Sequence, residues 1–171
     1  MNLETLEYPP LTEDIEEAKN HLDEYGMALI ANVLSNDEID EMDERLNEQF
    51  LGEEKYKVGS KVRGDEGLGV ESSEEEKVSR LVWNLINKGD CFLKLIDHPK
   101  ILPLIQHLIG EKVCLCSMGA HMNGSGNEKT ALHQDQWPLV PHPMDFPFMA
   151  NVMYLISDNS PENGGTRLIP V

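Results

Sequence analysis

Positive charge is scarce in this chain. Its 171 residues hold 14 Lys and Arg against 31 Asp and Glu, a net charge of -17 at pH 7. The imbalance is uneven: residues 1–80 carry 23 of the acids and eight of the bases, so the second half is close to balanced. A surface of that sign repels phosphate backbones and anionic headgroups, so neither nucleic acid nor a membrane surface is an expected partner. The acidic half reads as solvated helix faces. Long apolar runs are lacking too. No stretch approaches the roughly 18 uninterrupted apolar residues of a membrane span, so no membrane insertion is expected. The N-terminus, Met1-Asn2-Leu3-Glu4, has no basic, apolar leader pattern. A soluble, intracellular and cytoplasmic protein is the expectation. Cysteine is limited to Cys91, Cys114 and Cys116, which excludes a disulfide framework. Cys114-Leu115-Cys116 is too closely spaced for a zinc knuckle, and its thiols read as small buried residues on a strand.

What is present is enough apolar material, 40% of the chain, for one domain with its own core. Thr12, followed by acids at 13, 14, 16 and 17, predicts a helix start, and Gly26 a left-handed stop. Met27 to Ala31 reads as a buried strand. Ser35-Asn36-Asp37-Glu38 is a capping box, and the helix it opens carries Ile39, Met42, Leu46 and Phe50 at helical spacing before Gly52. Lys55 to Glu76 is polar and glycine-rich and reads as a surface loop. Leu81 to Ile86 is apolar without a decisive period. Asp90 predicts a short helix through Ile96. Pro99 predicts another helix, running to Ile109 with Gly110 as its stop.

From Val113 onward the pattern changes to strands, at about 113–122, 131–137, 148–157 and 166–170, separated by Gly, Pro, Asn and Ser. Helices followed by strands predict a single α+β domain over residues 1–171, with a helical layer at about 12–110 and β-strands at about 113–170.

One short stretch carries chemistry. In an extended strand, residues two apart face the same way, about 7 Å apart along the backbone. His133-Gln134-Asp135 therefore aims an imidazole and a carboxylate in one direction. One carboxylate, two imidazoles and open positions form the facial triad of Fe(II) oxygenases, and this tripeptide holds two of the three. On its own the pair also fits a solvated surface turn. Asn151 is a second anomaly: an amide within the apolar run 148–156 needs a partner, because burying it unpaired is costly. A co-substrate or substrate is one candidate partner.

The ordered set formed by His133-Gln134-Asp135-Gln136-Trp137, the Pro-rich loop 138–147, the apolar run 148–156 and Glu162-Asn163-Gly164-Gly165-Thr166-Arg167-Leu168-Ile169-Pro170 resembles the phytanoyl-CoA dioxygenase family. The resemblance extends upstream to Arg80-Leu81-Val82-Trp83-Asn84 and to His98-Pro99, and covers about Glu17 to Pro170. It implies a double-stranded β-helix, a jelly-roll-like barrel with N-terminal helices. It implies an Fe(II)- and 2-oxoglutarate-dependent dioxygenase that hydroxylates a small organic or acyl substrate. His133 and Asp135 would be metal ligands, and Gln134 a contact of the co-substrate, with a solvated amide as its alternative; Asn151, from its place in the apolar run, is the other co-substrate candidate. Trp83, Asn84 and Trp137 are substrate-pocket candidates, with core packing as the alternative for each. Asn163-Gly164-Gly165 reads as a tight turn and Arg167 as structural.

In the family, the strand ending in Ile-Pro continues into Gly-Ser-His, a second iron-binding His and an Arg for the co-substrate carboxylate. Here Pro170 is followed by Val171, and those residues have no counterpart. The expectation is a C-terminally incomplete domain, inactive alone, that self-associates through unpaired strand edges. The alternative is a non-catalytic member acting as a binding or regulatory module. Among the other histidines, His121 and His142 lie nearest the motif in sequence as substitutes for the missing ligand, ahead of His21, His98 and His107.

Overall fold

A computed structural model of the chain describes residues 7–58, 60–63, 78–122, 133, 135 and 146–169. A small parallel pair opens it. Strand β1 (Leu11–Thr12) lies beside β2 (Leu29–Ile30), with Leu11 opposite Leu29 and Thr12 opposite Ile30. Helix α1 (Ile15–Tyr25) makes the crossover that a parallel pair requires. Thr12 was the expected cap, but Asp14 takes that role. Its carboxylate accepts from the N–H groups of Glu16 and Glu17 at 2.8 and 3.0 Å. The reason is that Thr12 is already committed to the sheet: its carbonyl accepts from Ala31 at 2.8 Å. Its hydroxyl accepts from Asp14 N–H and donates to Glu17. Gly26 ends α1 as expected, at φ 71°. The strand expected at 27–31 shrinks to β2, and Leu29 is exposed rather than buried.

Helix α2 (Asn36–Tyr56) begins at the expected capping box. Ser35 Oγ accepts from Glu38 N–H at 3.3 Å, and the Glu38 carboxylate accepts from Ser35 N–H at 2.8 Å. That backbone bond is the main reason the Glu38 carboxyl lies below its ordinary value. The helix runs past Gly52 and stops at Lys57, in the left-handed region at φ 56°. Glu53 accounts for the extra turn. It lies on the buried stripe below Met42, Leu46 and Phe50. Gln49 and Lys88 donate to the same carboxylate oxygen at 2.8 and 2.9 Å, which ties the end of α2 to the following segment.

One strand occurs in the stretch expected to be a surface loop, and another ends in the apolar segment without a decisive period. Strands β3 (Ser60–Arg63), β4 (Val78–Trp83) and β5 (Gly119–Met122) form an antiparallel sheet with β4 in the centre. The undecided segment from Leu81 is therefore the end of β4, followed by a single 3-10 turn at Leu85–Asn87. Val82 is fully buried, and Ala120 and Met122 sit with it against Met42, Leu46 and Phe50 of α2. Helices α3 (Asp90–Leu93) and α4 (Leu102–Ile109) complete the helical layer; α3 packs on α2, and α4 on α1. Asp90 is the first residue of α3 rather than its cap, which is Gly89. Before α4, His98 C=O accepts from both Ile101 and Leu102 at 2.9 Å, so the helix proper starts at Leu102 and ends at Gly110 as expected.

The strands expected after Val113 reduce to β5 among the described residues. Segments 112–118, 147–155 and 165–169 form no ladder. Of 131–137 only His133 and Asp135 are described, and neither is in the expected strand, Asp135 standing in a turn; Pro170 lies outside the described residues. The period-two pattern survives only over residues 153–156, since Val152 is exposed. Tyr154 and Ile156 pack on the core, while Met153 and Leu155 are 57% and 53% exposed. Alternation chooses a face, but a strand also needs a neighbour to take its N–H and C=O groups. The Tyr154 hydroxyl donates to Leu95 C=O at 2.9 Å and its ring meets His98 edge-on, which anchors this run to the helical layer. The cysteine expectation is corrected as well. Cys114 and Cys116 are exposed in the irregular segment before β5, and only Cys91 is buried.

The turn at 158–165 is as compact as its sequence suggests. Pro161–Asn163 forms a 3-10 turn; Asn163 accepts from Ser160 N–H at 2.8 Å and donates to Asp158 C=O. Gly165 is obligatory there, because a Cβ would sit 2.7 Å from Asn159 Oδ1 and 2.8 Å from Ser160 O. No helix among the described residues is long and apolar enough to cross a membrane.

Candidate metal centre

His133 and Asp135 come together in space. His133 Nε2 lies 3.5 Å from Asp135 Oδ1, and each side chain is about half exposed, at 57% and 52%. That separation is long for a hydrogen bond. It suits two ligands of one cation: donors about 2.1 Å from a metal, at angles between a right angle and tetrahedral, stand roughly 3.0–3.5 Å apart. An imidazole nitrogen beside a carboxylate oxygen is also a donor set that iron accepts. These two residues therefore fit two positions of an Fe(II) site. Among the described residues, no third His, Cys, Asp or Glu joins them.

The remaining histidines are engaged elsewhere or lie apart. His121 stands on β5 opposite Leu81, so it belongs to the sheet. His107 pairs with Asp23 at 2.8 Å and links α4 to α1. His98 receives Lys100 N–H at Nδ1, at 3.3 Å. His21 is buried in α1, and its Nδ1 has no hydrogen-bond partner. His142 lies outside the described residues.

Asn151 joins the pair from a different segment. Its side-chain amide donates to Asp135 Oδ2, the oxygen that does not face His133. The sequence marked this amide as needing a partner on the premise of burial, but Asn151 is exposed. That the partner is the carboxylate 16 residues earlier is a tertiary fact, since nothing in local spacing connects the two.

The pocket candidates divide. Trp83 lies at the end of β4, opposite Gly119 and on the sheet face away from α2. Its ring covers Gly119 and is half exposed, at 50%. Asn84 instead makes a turn: it is exposed, adopts φ 55° and precedes the 3-10 turn. Asparagine tolerates that left-handed conformation better than most residues, which is a structural reason for its presence. Gln134 and Trp137 lie outside the described residues.

Comparison with known proteins identifies the family of the chain. The family profile Phytanoyl-CoA dioxygenase (PhyH) matches residues 22–171. Among curated proteins, the chain is similar to Dioxygenase af480 of Aspergillus fumigatus, with 28% identity over 160 residues. The match covers 94% of this chain and 49% of that protein, so the chain spans about half the length of this relative. No solved structure matches the chain. With nearly the whole sequence inside the family profile, from α1 through the turn at 158–165, the chain belongs to the phytanoyl-CoA dioxygenase family.

Proposed function

We propose that this chain is part of an Fe(II)- and 2-oxoglutarate-dependent dioxygenase that hydroxylates a small organic or acyl molecule, on a double-stranded β-helix framework. The observation that carries this reading is the 3.5 Å approach of His133 Nε2 and Asp135 Oδ1 in a chain of this family. Bound Fe(II), with 2-oxoglutarate as reductant, supplies the activation of dioxygen needed to hydroxylate an unactivated C–H bond. The protein's part is binding and orientation. His133 contributes a neutral nitrogen lone pair, and Asp135 contributes negative charge that offsets part of the cation's. Trp83 offers an aromatic wall at the end of β4, where an apolar portion of substrate can lie.

The test is a metal titration. Under nitrogen, the intact chain should bind Mn(II) as an Fe(II) surrogate, and His133→Ala and Asp135→Ala should each weaken binding more than about 10-fold, since loss of a ligand should exceed the effect of losing its outer-shell support. Equal binding by all three proteins would place the metal elsewhere and overturn the reading.

A further inference from the structure

We propose that Asn151 is a positioning residue that holds Asp135 by Oδ2, so that only Oδ1 is presented to the metal beside His133 Nε2. The inference rests on the proposed metal site and adds to it the way in which that site binds. An ionised carboxylate has two oxygens and can grip a cation with either or both. Here the two oxygens are already differentiated. Oδ1 faces His133 at 3.5 Å, and Oδ2 accepts the Asn151 amide. Gripping a metal with both oxygens would make the cation compete for Oδ2 with a charge-assisted hydrogen bond.

The holder is itself held. Three residues on, Tyr154 is fastened to Leu95 C=O and packed against His98, and Ile156 packs on the same core. Asn151 thus connects the half-exposed Asp135 to the rigid helical layer through a short stretch of chain. Residue type matters as well. A Lys or Arg in this place would hold the carboxylate but oppose the incoming cation, whereas the neutral amide of Asn orients it and leaves its charge available.

The test uses the intact chain and cobalt(II) chloride, whose d–d spectrum reports coordination number. Infrared difference spectra report whether the carboxylate binds through one oxygen or two, from the splitting of its stretching bands. Wild type, Asn151→Leu, Asn151→Ala and His133→Ala are compared, with apo-protein melting curves as a fold control. Wild type should show the wide splitting of one-oxygen binding. Both Asn151 variants should bind about 10-fold or more weakly, with narrowed splitting and weaker d–d bands as the second oxygen joins. Asn151→Ala removes the amide without adding bulk, so a misfolded Asn151→Leu does not decide the matter. If wild type and His133→Ala bind cobalt alike, the metal-site reading fails and the proposal falls with it. If His133→Ala loses binding while both Asn151 variants keep wild-type affinity and splitting, the site stands and the role of Asn151 is refuted.

Discussion

The helical layer and the C-terminal segments handle their apolar residues differently. On α2, β4 and α3, the residues Met42, Leu46, Phe50, Val82 and Phe92 lock together out of reach of water. In residues 146–169, Tyr154 and Ile156 join that core, while Phe146, Val152, Met153, Leu155, Leu168 and Ile169 stay exposed. The contrast does not come from composition, since both parts carry regular apolar patterns. A helix satisfies its own backbone, so an amphipathic stripe and a single surface to lie on are enough. An extended run has backbone groups to satisfy on both edges and side chains to bury on two faces. The candidate metal residues precede this second part and are joined to it through Asn151, while Tyr154 ties it to the first.

The largest expected effect tests that contrast directly. Phe92→Ala, at a side chain only 2% exposed, should lower stability by about 3–5 kcal/mol. Leu155→Ala should stay within about 0.5 kcal/mol of wild type. Urea unfolding of both variants decides the matter; comparable losses would show that the C-terminal run is as tightly packed as the helical layer.

A smaller effect is expected at the joint between the two parts. Tyr154→Phe deletes the donor to Leu95 C=O and should cost about 1–3 kcal/mol, because it leaves an acceptor without its partner. The same residue makes the joint sensitive to alkali. Burial pushes the Tyr154 phenol from its ordinary 10.0 up to about 12. The folded state therefore favours the protonated phenol. Its contribution is complete below pH 10 and is lost as pH rises through about 12. Denaturant melts across that interval, read beside phenolate absorbance, should show wild type losing stability that Tyr154→Phe has already lost. Parallel profiles for the two proteins would detach the C-terminal run from the tyrosine.

The smallest effect belongs wholly to the helical layer. Ser35→Ala removes the cap of α2 and should cost about 1 kcal/mol, without altering metal binding. A change in metal affinity would mean that the two parts are more closely coupled than the contacts through Tyr154 imply.

Local chemistry was readable where one short segment settles its own structure. The Ser35–Glu38 box, the left-handed stop at Gly26, the end of α4 at Gly110 and the turn before Gly165 all rest on atoms a few residues apart. The errors arose where distant chain intervened. Thr12 surrendered its capping role to Asp14 because its carbonyl was claimed by Ala31. Strand β4 could not be recognised from its own residues, because it lies between β3 and β5, and the latter comes from 36 residues or more further along. The exposure of Cys114 and Cys116 was illegible for the same reason: the residues near them in sequence do not report what packs against them in space.

The sequence by itself supplied the candidate ligand types, an imidazole and a carboxylate two residues apart. The strand expected to direct His133 and Asp135 together is not there, since Asp135 stands in a turn, and Asn151 interrupts the apolar run as an exposed amide rather than a buried one. Only the tertiary structure decided that the partner is Oδ2 of Asp135, that Oδ1 turns to His133, and that Trp83 stands on the sheet face away from α2. Side-chain type and spacing act over one or two residues, whereas choosing between two oxygens of one carboxylate requires a donor brought in from another segment and held there by packing.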